Sequence, residues 1–401
     1  MAFPRIHILG GGNIGSFMAH SLRSLPSSRP DITLLLRGTT YKTFLKRYSI
    51  VLQDTTTTPP TNIVRLFTSA LPSSSVFLPA HISKLVVATK THQTLAALAP
   101  LIPRLSRKSS VVFLQNGITP PLEQLFPDMH TRPSEVWAGV VTHGINSDSK
   151  FSLRLAARGE IVLGPVASGG VDDNGSDRET PRLVEILGRV QGTRTVGTKD
   201  ELLRLQLGKL AANAAINAVA AVNDVRNGEL LGMPEALETM KAAVRELGEV
   251  ARAMLGEELV EGGEEALWKS VRDVVELTGE NTCSMLQDLR AGRKTEVQEI
   301  NGWVVEKAAE LGLDCKVNRE LVEKVKALER EKGIPEVEPV DNTDIEEQHP
   351  RARGRVLRRV HVPTRRDFKW MPGLLERKLS KGGFDPFKSK PVPGIIRRVL
   401  V

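Results

Sequence analysis

The sequence predicts an α/β fold in its first half, an all-helical domain in its second half and a basic tail at its end. Short β-branched or leucine-rich runs alternate with helical stretches over residues 1–198, which is typical of βαβ units around a mostly parallel sheet. Over residues 199–333, Ala, Leu, Glu and Lys recur with the 3.6-residue period of helices, and no convincing strand interrupts them. We therefore predict domains at 1–198 and 199–333, a linker at 334–350 and a tail at 351–401.

The predicted strands are short apolar runs in the first half of the chain, at residues 5–9, 32–36, 85–88, 111–114, 136–141 and 161–163. A polar, glycine-rich loop follows at 168–177 and is read as an insertion, and one helical stretch is predicted at 181–190. The second half lacks internal repeats and heptads, so its helices are expected to form one packed domain.

Composition excludes several classes of protein. The chain has 401 residues, 40% of them apolar and 25% charged, as in an ordinary globular protein. Its two cysteines are too few for a disulfide framework or a cysteine zinc site, so no metal is expected. We see no apolar run of about 18 residues that would cross a bilayer. These features favour a cytoplasmic protein and leave a mitochondrial location open.

The positive charge of the chain is concentrated at its end. The formal net charge is +8, but residues 351–401 alone carry 15 Lys or Arg against three acids. The preceding residues 336–347 hold six acids and no base, with prolines around them, which indicates a solvated linker. The tail could bind a polyanion such as RNA, the ribosome or an anionic membrane, or it could be a solvated extension without function.

A glycine motif follows the first predicted strand and precedes a helical stretch. Its residues are Gly10, Gly11, Gly12, Asn13, Ile14 and Gly15, which fit G-x-G-x-x-G. In a Rossmann-type fold the first glycine permits a tight turn, the second lets a pyrophosphate approach the backbone, and the third allows close helix packing. The context favours a dinucleotide site over a glycine-rich turn without a ligand.

The residue after the second predicted strand indicates which dinucleotide is bound. NAD-binding folds usually place an acid there to bind the ribose 2′-hydroxyl, whereas this chain has Arg37. A guanidinium can pair with the 2′-phosphate of NADP, so Arg37 favours NADPH. A solvated surface arginine is the alternative.

An alanine-rich helical stretch over 205–222 contains three polar residues on one stripe. Lys209, Asn213 and Asn217 are spaced at i, i+4 and i+8. Buried ammonium and amide groups are costly unless a polar partner meets them, which is either a ligand or a neighbouring helix.

At this point the sequence resembles the ketopantoate reductase family (2-dehydropantoate 2-reductase, PanE/ApbA). The resemblance covers about residues 5–332 and rests on ordered motifs: the glycine loop; Lys90 and Gln93; Gln115-Asn116-Gly117; Thr142-His143; 209–217; Asn227-Gly228-Glu229-Leu230; and 284–288 continuing through Arg293 and Glu296 to Ile300-Asn301-Gly302. It implies a Rossmann-type NADP-binding domain followed by a helical domain like that of 6-phosphogluconate dehydrogenase.

The resemblance also implies roles for single residues. Lys209 matches the family's catalytic proton donor, and Glu296 matches a catalytic glutamate that contacts the nicotinamide end of the cofactor. The substrate-binding positions match Asn213, Asn217, Asn227 and Ser284. The cofactor-binding positions match Lys90 and Asn116 besides the glycine loop. Asp288 and Arg293 are interpreted as a structural ion pair, and His92 and His143 as structural rather than acidic groups.

The implied function is NADPH-dependent reduction of 2-dehydropantoate to (R)-pantoate, in the pathway to pantothenate and coenzyme A. An ammonium beside the carbonyl oxygen would stabilise the developing alkoxide and donate its proton. The open alternatives are a reductase of another small 2-oxo acid or dicarbonyl, and a reductase fold whose tail binds RNA or the ribosome. A homodimer is left open by the sequence.

Overall fold

The computed structural model describes residues 5–26, 29–67, 69–75, 78–166 and 182–336. The predicted insertion at 168–177, most of the predicted linker and the whole basic tail lie outside these residues. The described chain forms two compact units, one built from residues up to 78 together with 144–158, the other from 79–143 and 159 onward.

The strands in the described residues are β1 Arg5–Leu9, β2 Asp31–Leu36, β3 Ser49–Asp54, β4 Thr61–Leu66, β5 Ala70–Pro72, β6 Lys84–Val87, β7 Ser110–Leu114, β8 Glu135–Val141, β9 Gly144–Ser149, β10 Ser152–Ala157, β11 Ile161–Pro165 and β12 Thr193–Thr195. The α-helices are α1 Asn13–Arg23, α2 Gly38–Phe44, α3 Thr94–Leu98, α4 Leu122–Leu125, α5 Leu183–Leu187, α6 Lys199–Asn223, α7 Pro234–Leu255, α8 Gly263–Leu277, α9 Ser284–Arg290, α10 Trp303–Leu311 and α11 Lys316–Glu331. A π-helical segment, Gln298–Gly302, precedes α10.

The first unit contains two groups of strands. Strands β1, β2 and β5 are parallel neighbours, so the loops after them lie at one edge. The second group has the order β4-β3-β10-β9, in which only β3 and β10 pair in parallel. Phe44 stacks edge to face on Phe67 and Phe151, which gives the first unit an aromatic core.

The second unit begins with a five-stranded group in the order β12-β11-β8-β7-β6. Strands β6, β7 and β8 are parallel, while β11 runs antiparallel to β8. The apolar runs of these strands are buried on both faces, as expected for a sheet covered by helices.

The helical part of the second unit packs around α6. A capping box at Thr198 and Glu201 starts this helix, and Asp224 in the left-handed conformation ends it. By length and composition α6 could cross a membrane, but most of its apolar stretch is buried among the other helices. Its alanines allow close approach of neighbouring helices, so it forms the centre of the helical core.

The predicted α/β fold with a helical second half is confirmed. All six predicted strands are present, as β1, β2, β6, β7, β8 and β11, and no strand lies in the described residues after β12. The prediction missed six strands, including β4 and β9, whose TNIVRL and GINSDS sequences lack regular apolar alternation. The helix predicted at 181–190 is the shorter α5.

Candidate functional site

The glycine motif forms the turn between β1 and α1 in the first unit. Gly10 has a φ of 110°, which favours glycine, and its N–H donates to the Leu35 carbonyl. A Cβ on Gly11 would lie 2.8 Å from the Leu36 side chain, whereas a Cβ on Gly12 would meet nothing within 4 Å. The backbone at Gly12 therefore faces open space, and the unpaired N–H groups of the first turn of α1 follow it.

The rest of the motif anchors this turn within the first unit. Asn13 donates its side-chain amide to the Ile145 carbonyl on β9, 3.1 Å away, which fixes this side chain on the strand and leaves the backbone N–H for a ligand. Ile14 is half-buried and Gly15 is buried, as expected for the residue that lets the helix approach the sheet.

Arg37 is exposed at the start of α2, directly after β2. Because β1 and β2 are parallel, Arg37 and the glycine turn follow the same ends of adjacent strands. This is the place at which the sequence predicts a partner for a 2′-phosphate.

The second unit brings together three of the predicted residues in one hydrogen-bonded chain. Lys209 Nζ donates to Asn116 Oδ1 at 3.0 Å and to the Val141 carbonyl at 2.7 Å. Asn116 Nδ2 donates to Glu296 Oε2 at 3.0 Å, and the Thr91 backbone N–H approaches Glu296 Oε1 at 3.4 Å. The amide of Asn116 thus separates a cation from an anion and holds both. Lys209, Asn116, Glu296, Thr91 and the Val141 carbonyl are called the Lys209 cluster below.

Local backbone geometry places these groups. Asn116 lies just after β7, and Gly117 next to it has a φ of 80°. A Cβ at Gly117 would lie only 2.9 Å from the Glu299 carbonyl, so glycine permits the close approach of this turn to the π-helical segment. Such segments are frequent at functional sites.

Lys209 is electrostatically unusual. Burial lowers its pKa from 10.5 to about 8, and the Glu296 carboxylate opposes that shift. The ammonium of Lys209 is therefore still mostly protonated at neutral pH and loses its proton just above it, which suits a group that must donate a proton.

Lys90 has protein partners in the same unit. Its Nζ donates to Asp288 Oδ2 and to the Lys294 carbonyl, both at 2.8 Å. Asp288 also accepts a hydrogen bond from Arg293, so the pair of acid and arginine identified in the sequence is present. The role of Lys90 as a cofactor contact stays a prediction.

The start of α9 lies beside α6 near Asn217. Cys283 Sγ contacts the Asn217 carbonyl at 3.5 Å, which places Ser284, the first residue of α9, beside that turn of α6. In the described part of the chain, the side chains of Asn213, Asn217 and Ser284 make no hydrogen bond to protein groups. They therefore remain available to a ligand.

Asn227 is placed by different partners. Its Nδ2 donates to Thr278 Oγ1 at 2.9 Å and its backbone N–H donates to the Asn281 carbonyl. Its Oδ1 is buried and has no hydrogen-bond partner in the described structure. No hydrogen bond joins Asn227 to Lys209 in those residues, so its place in a common site stays a prediction.

The other reactive side chains fit structural roles. His143 Nδ1 accepts from the Gly159 N–H at 2.9 Å, and His92 Nδ1 lies 3.8 Å from Glu299 Oε2. Burial raises the pKa of the Cys283 thiol to about 11, which opposes a nucleophilic role.

Sequence reasoning missed some members of the cluster. Thr91 contributes a backbone N–H to Glu296 and a hydroxyl to the Asn116 carbonyl, and its position next to Lys90 was the one available signal. The Val141 carbonyl has no side-chain signature. Backbone acceptors of this kind are visible only once the sheet and α6 are placed.

Comparison with known proteins agrees with these observations. Residues 6–168 match the family model described as ketopantoate reductase PanE/ApbA, and residues 201–329 match the C-terminal model of that family. A probable 2-dehydropantoate 2-reductase from Schizosaccharomyces pombe is 30% identical over 79% of this chain and 94% of its own length. A ketoisovalerate reductase from Gibberella fujikuroi is 29% identical over 81% of this chain and 83% of its length.

A solved structure supports the same assignment. The crystal structure of a probable 2-dehydropantoate 2-reductase from Bacillus subtilis has a TM-score of 0.59 and 28% identity, and it covers 81% of this chain and 99% of its own. The resemblance identified from the ordered motifs is thereby confirmed. The chain belongs to the ketopantoate reductase PanE/ApbA family.

Proposed function

We propose that the chain catalyses the NADPH-dependent reduction of 2-dehydropantoate to (R)-pantoate, with Lys209 as proton donor. The observation that carries the proposal is the chain of hydrogen bonds from Lys209 through Asn116 to Glu296. It is supported by membership of a reductase family and by a relative described as a 2-dehydropantoate 2-reductase.

Lys209 serves the developing alkoxide in two ways. Its ammonium stabilises the negative charge that forms on the carbonyl oxygen, and it then donates the proton that completes the alcohol. The carbonyl of Val141 and the amide of Asn116 orient Nζ and leave one of its three N–H donors for the substrate.

Glu296 keeps Lys209 protonated. Its carboxylate raises the pKa that burial lowers, and Asn116 prevents direct contact that would tie up the ammonium in an ion pair. Glu296 would also face the nicotinamide end of the cofactor, as the family resemblance implies.

The substrate carboxylate and hydroxyl need donors that do not compete with the proton donor. The unpartnered amides of Asn213 and Asn217 and the hydroxyl of Ser284 supply them as neutral groups. They occupy one stripe of α6 and the adjoining start of α9, so a small 2-oxo acid could be held by several side chains at once.

The glycine turn fits a dinucleotide. Gly10 and Gly11 need the absence of a side chain for conformation and packing, whereas Gly12 leaves its outer face open to a pyrophosphate. Arg37 would pair with a 2′-phosphate, and the family resemblance implies Lys90 and Asn116 as further cofactor contacts. When bound, the nicotinamide supplies the hydride.

The direct test is oxidation of NADPH by the purified full chain with 2-dehydropantoate. We expect turnover with this substrate, a lower rate with NADH, and (R)-pantoate as the product. Lack of turnover with 2-dehydropantoate, together with turnover of another carbonyl compound, would overturn the substrate assignment.

A second candidate keeps the chemistry and changes the substrate. The Gibberella fujikuroi relative is described as a ketoisovalerate reductase, and the amides of α6 would suit the carboxylate of any small 2-oxo acid. 2-Dehydropantoate differs from ketoisovalerate by a hydroxymethyl group, whose hydroxyl needs a partner once it is buried.

Asn227 offers the means to distinguish these substrates. We propose that its buried, unpartnered Oδ1 accepts the hydroxyl of 2-dehydropantoate. Asn227→Ala should then lower kcat/KM for 2-dehydropantoate by about tenfold or more and leave ketoisovalerate nearly unchanged. An equal loss with both substrates would assign Asn227 to the fold.

A further inference from the structure

Three consecutive residues before the π-helical segment, Lys294, Thr295 and Glu296, have hydrogen-bond partners on two sides. The Lys294 carbonyl accepts from Lys90 Nζ, and the Glu296 carboxylate accepts from Asn116 and Thr91. Between them, Thr295 is only 1% exposed and points the other way, into the protein. A contact that fixes Thr295 therefore helps to fix the Lys294 carbonyl, which holds Lys90, and the Glu296 carboxylate. Lys90 and Glu296 are both predicted cofactor contacts.

Thr295 is held by one buried carboxylate on α11. Glu329 Oε1 accepts from the Thr295 backbone N–H at 2.8 Å and from its hydroxyl at 2.7 Å. The Thr295 hydroxyl oxygen in turn lies 3.3 Å from the Val297 N–H and so orders the start of the helical turn that follows Glu296. Both groups are buried, with Glu329 at 8% exposure.

Glu329 is buried without a cationic partner in the described residues. The structure shows no ion pair for Glu329 among residues 5–336 that it describes, and both donors meet one oxygen. An unpaired buried carboxylate is costly, so Glu329 depends on the hydrogen bonds that it accepts from Thr295. Its carboxylate accepts two charge-assisted hydrogen bonds, both from Thr295, the residue next to Glu296.

We propose that Glu329 is a positioning residue, which acts through Thr295 to hold Glu296 and the Lys294 carbonyl in the geometry that Lys209 and Lys90 require. The inference rests on the proposed function, because it takes Glu296 and Lys90 as members of the site. It assigns a role to α11, which makes no hydrogen bond to Lys209, Asn116 or Glu296 within the part of the chain that the structure describes.

The test compares Thr295→Val, Thr295→Ser and Glu329→Ala in the full chain. Thr295→Val keeps shape but removes the hydroxyl, whereas Thr295→Ser keeps both donors. We expect Thr295→Val and Glu329→Ala to weaken NADPH binding, measured by its fluorescence, by fivefold or more, and Thr295→Ser to stay within twofold of the parent. The double variant Thr295→Val/Glu329→Ala should lose no more than the worse single variant, because both act through one contact.

A pH profile separates positioning from general destabilisation. The Glu296 carboxylate raises the pKa of Lys209, so a displaced Glu296 should let that pKa fall. The limb of the kcat/KM profile assigned to Lys209 should therefore move to lower pH in Thr295→Val and Glu329→Ala.

Glu246→Gln is the matched control. Glu246 is also 8% exposed, and it accepts from the Val317 and Asn318 N–H groups at the start of the same helix α11. Glu246→Gln should lower Tm without moving the pH limb or the affinity for NADPH. If Glu246→Gln and Glu329→Ala change these quantities alike, or if Thr295→Val changes neither, the positioning role is refuted.

Failure of the proposed function would look different. If the parent chain binds NADPH but reduces no 2-oxo acid, the proposed function fails, and the NADPH affinities of the variants still decide whether Glu329 positions the cluster.

Discussion

Lys209 combines two properties that ordinary surface lysines lack. It is held by the Val141 carbonyl and Asn116, and burial brings its pKa to about 8. A proton donor with a pKa near the working pH is both largely charged and ready to release its proton. The same burial would make Lys209 a poor choice for stability alone, which supports a role in chemistry.

The pH dependence of reduction follows from this pKa. Lys209 donates only when protonated, so kcat/KM should be level below pH 8 and fall about tenfold per pH unit above it. The measurement is the initial rate of NADPH oxidation from pH 6 to 10. A profile that stays level up to pH 10 would contradict the assignment of Lys209 as the acid.

Cofactor preference is expected to depend on Arg37. Each charge-assisted hydrogen bond to a phosphate contributes about 1.5–3 kcal/mol, so Arg37→Ala should reduce the preference for NADPH over NADH at least tenfold. The ratio of kcat/KM for the two cofactors measures this. Arg47→Ala, which removes an exposed arginine just after α2, should leave the ratio within about twofold. Equal losses with NADPH and NADH would assign Arg37 to the fold.

Residues could be predicted from the sequence where a motif fixes both identity and spacing. Asn116 lies 93 residues from Lys209 and 180 residues from Glu296 in the chain. The ordered motifs nevertheless identify all three residues, which the structure shows to be hydrogen-bonded. The link from Glu329 to Thr295 was not predicted, because it pairs common residues across 34 positions without periodicity. Backbone partners such as Val141 leave no trace in residue types.

Elements were predicted where apolar patterning is strong. The six predicted strands, β1, β2, β6, β7, β8 and β11, are short and rich in buried apolar residues, so they stand out. Strands β3, β4, β9 and β10 form a separate group, and the polar residues of β4 and β9 leave those two strands without regular apolar alternation. Helix α6 was recognised as a helix, but only its neighbours show why its apolar surface needs no membrane.

The turn after β7 and the π-helical segment should be sensitive to one methyl group. Gly117→Ala would put a Cβ at 2.9 Å from the Glu299 carbonyl and force a residue other than glycine to a φ of 80°. We expect a loss of about 1–3 kcal/mol in unfolding free energy and a larger loss in kcat, since Asn116 is adjacent. Thermal unfolding and turnover together measure this.

Gly248→Ala is the control for that substitution. Gly248 lies inside α7, and a Cβ there would make an ordinary 3.5 Å contact with Leu267 of α8, so the change should raise the unfolding free energy by about 0.5–1 kcal/mol. If Gly117→Ala is as well tolerated as Gly248→Ala, the close approach of the turn to the π-helical segment is not important for the site.

At the scale of the whole molecule, we expect the basic tail at 351–401 and the catalytic residues to act independently. The net charge of residues 351–401 is +12, and every residue of the Lys209 cluster precedes residue 297. Ile334 is buried in the helical core and the Glu336 carbonyl accepts from Lys294, so a truncation should keep the chain through residue 336.

Truncation after Glu336 should leave kcat/KM within about threefold, because no residue of the site is removed. We propose that the tail binds polyanions. The full chain should then bind RNA or anionic vesicles with an affinity that falls steeply with salt, and the truncated chain should not. Binding that survives truncation, or activity that does not, would refute this separation.

The central claim is that Lys209 is the proton donor of a 2-oxo acid reductase, and Lys209→Ala tests it most directly. We expect NADPH oxidation with 2-dehydropantoate to fall at least about 100-fold in kcat while NADPH binding stays within about threefold, because alkoxide stabilisation and proton donation are lost together. Lys209→Gln should not restore the rate, since an amide donates a hydrogen bond but no proton. A Lys209→Ala protein that keeps a tenth or more of the parent turnover would contradict the claim.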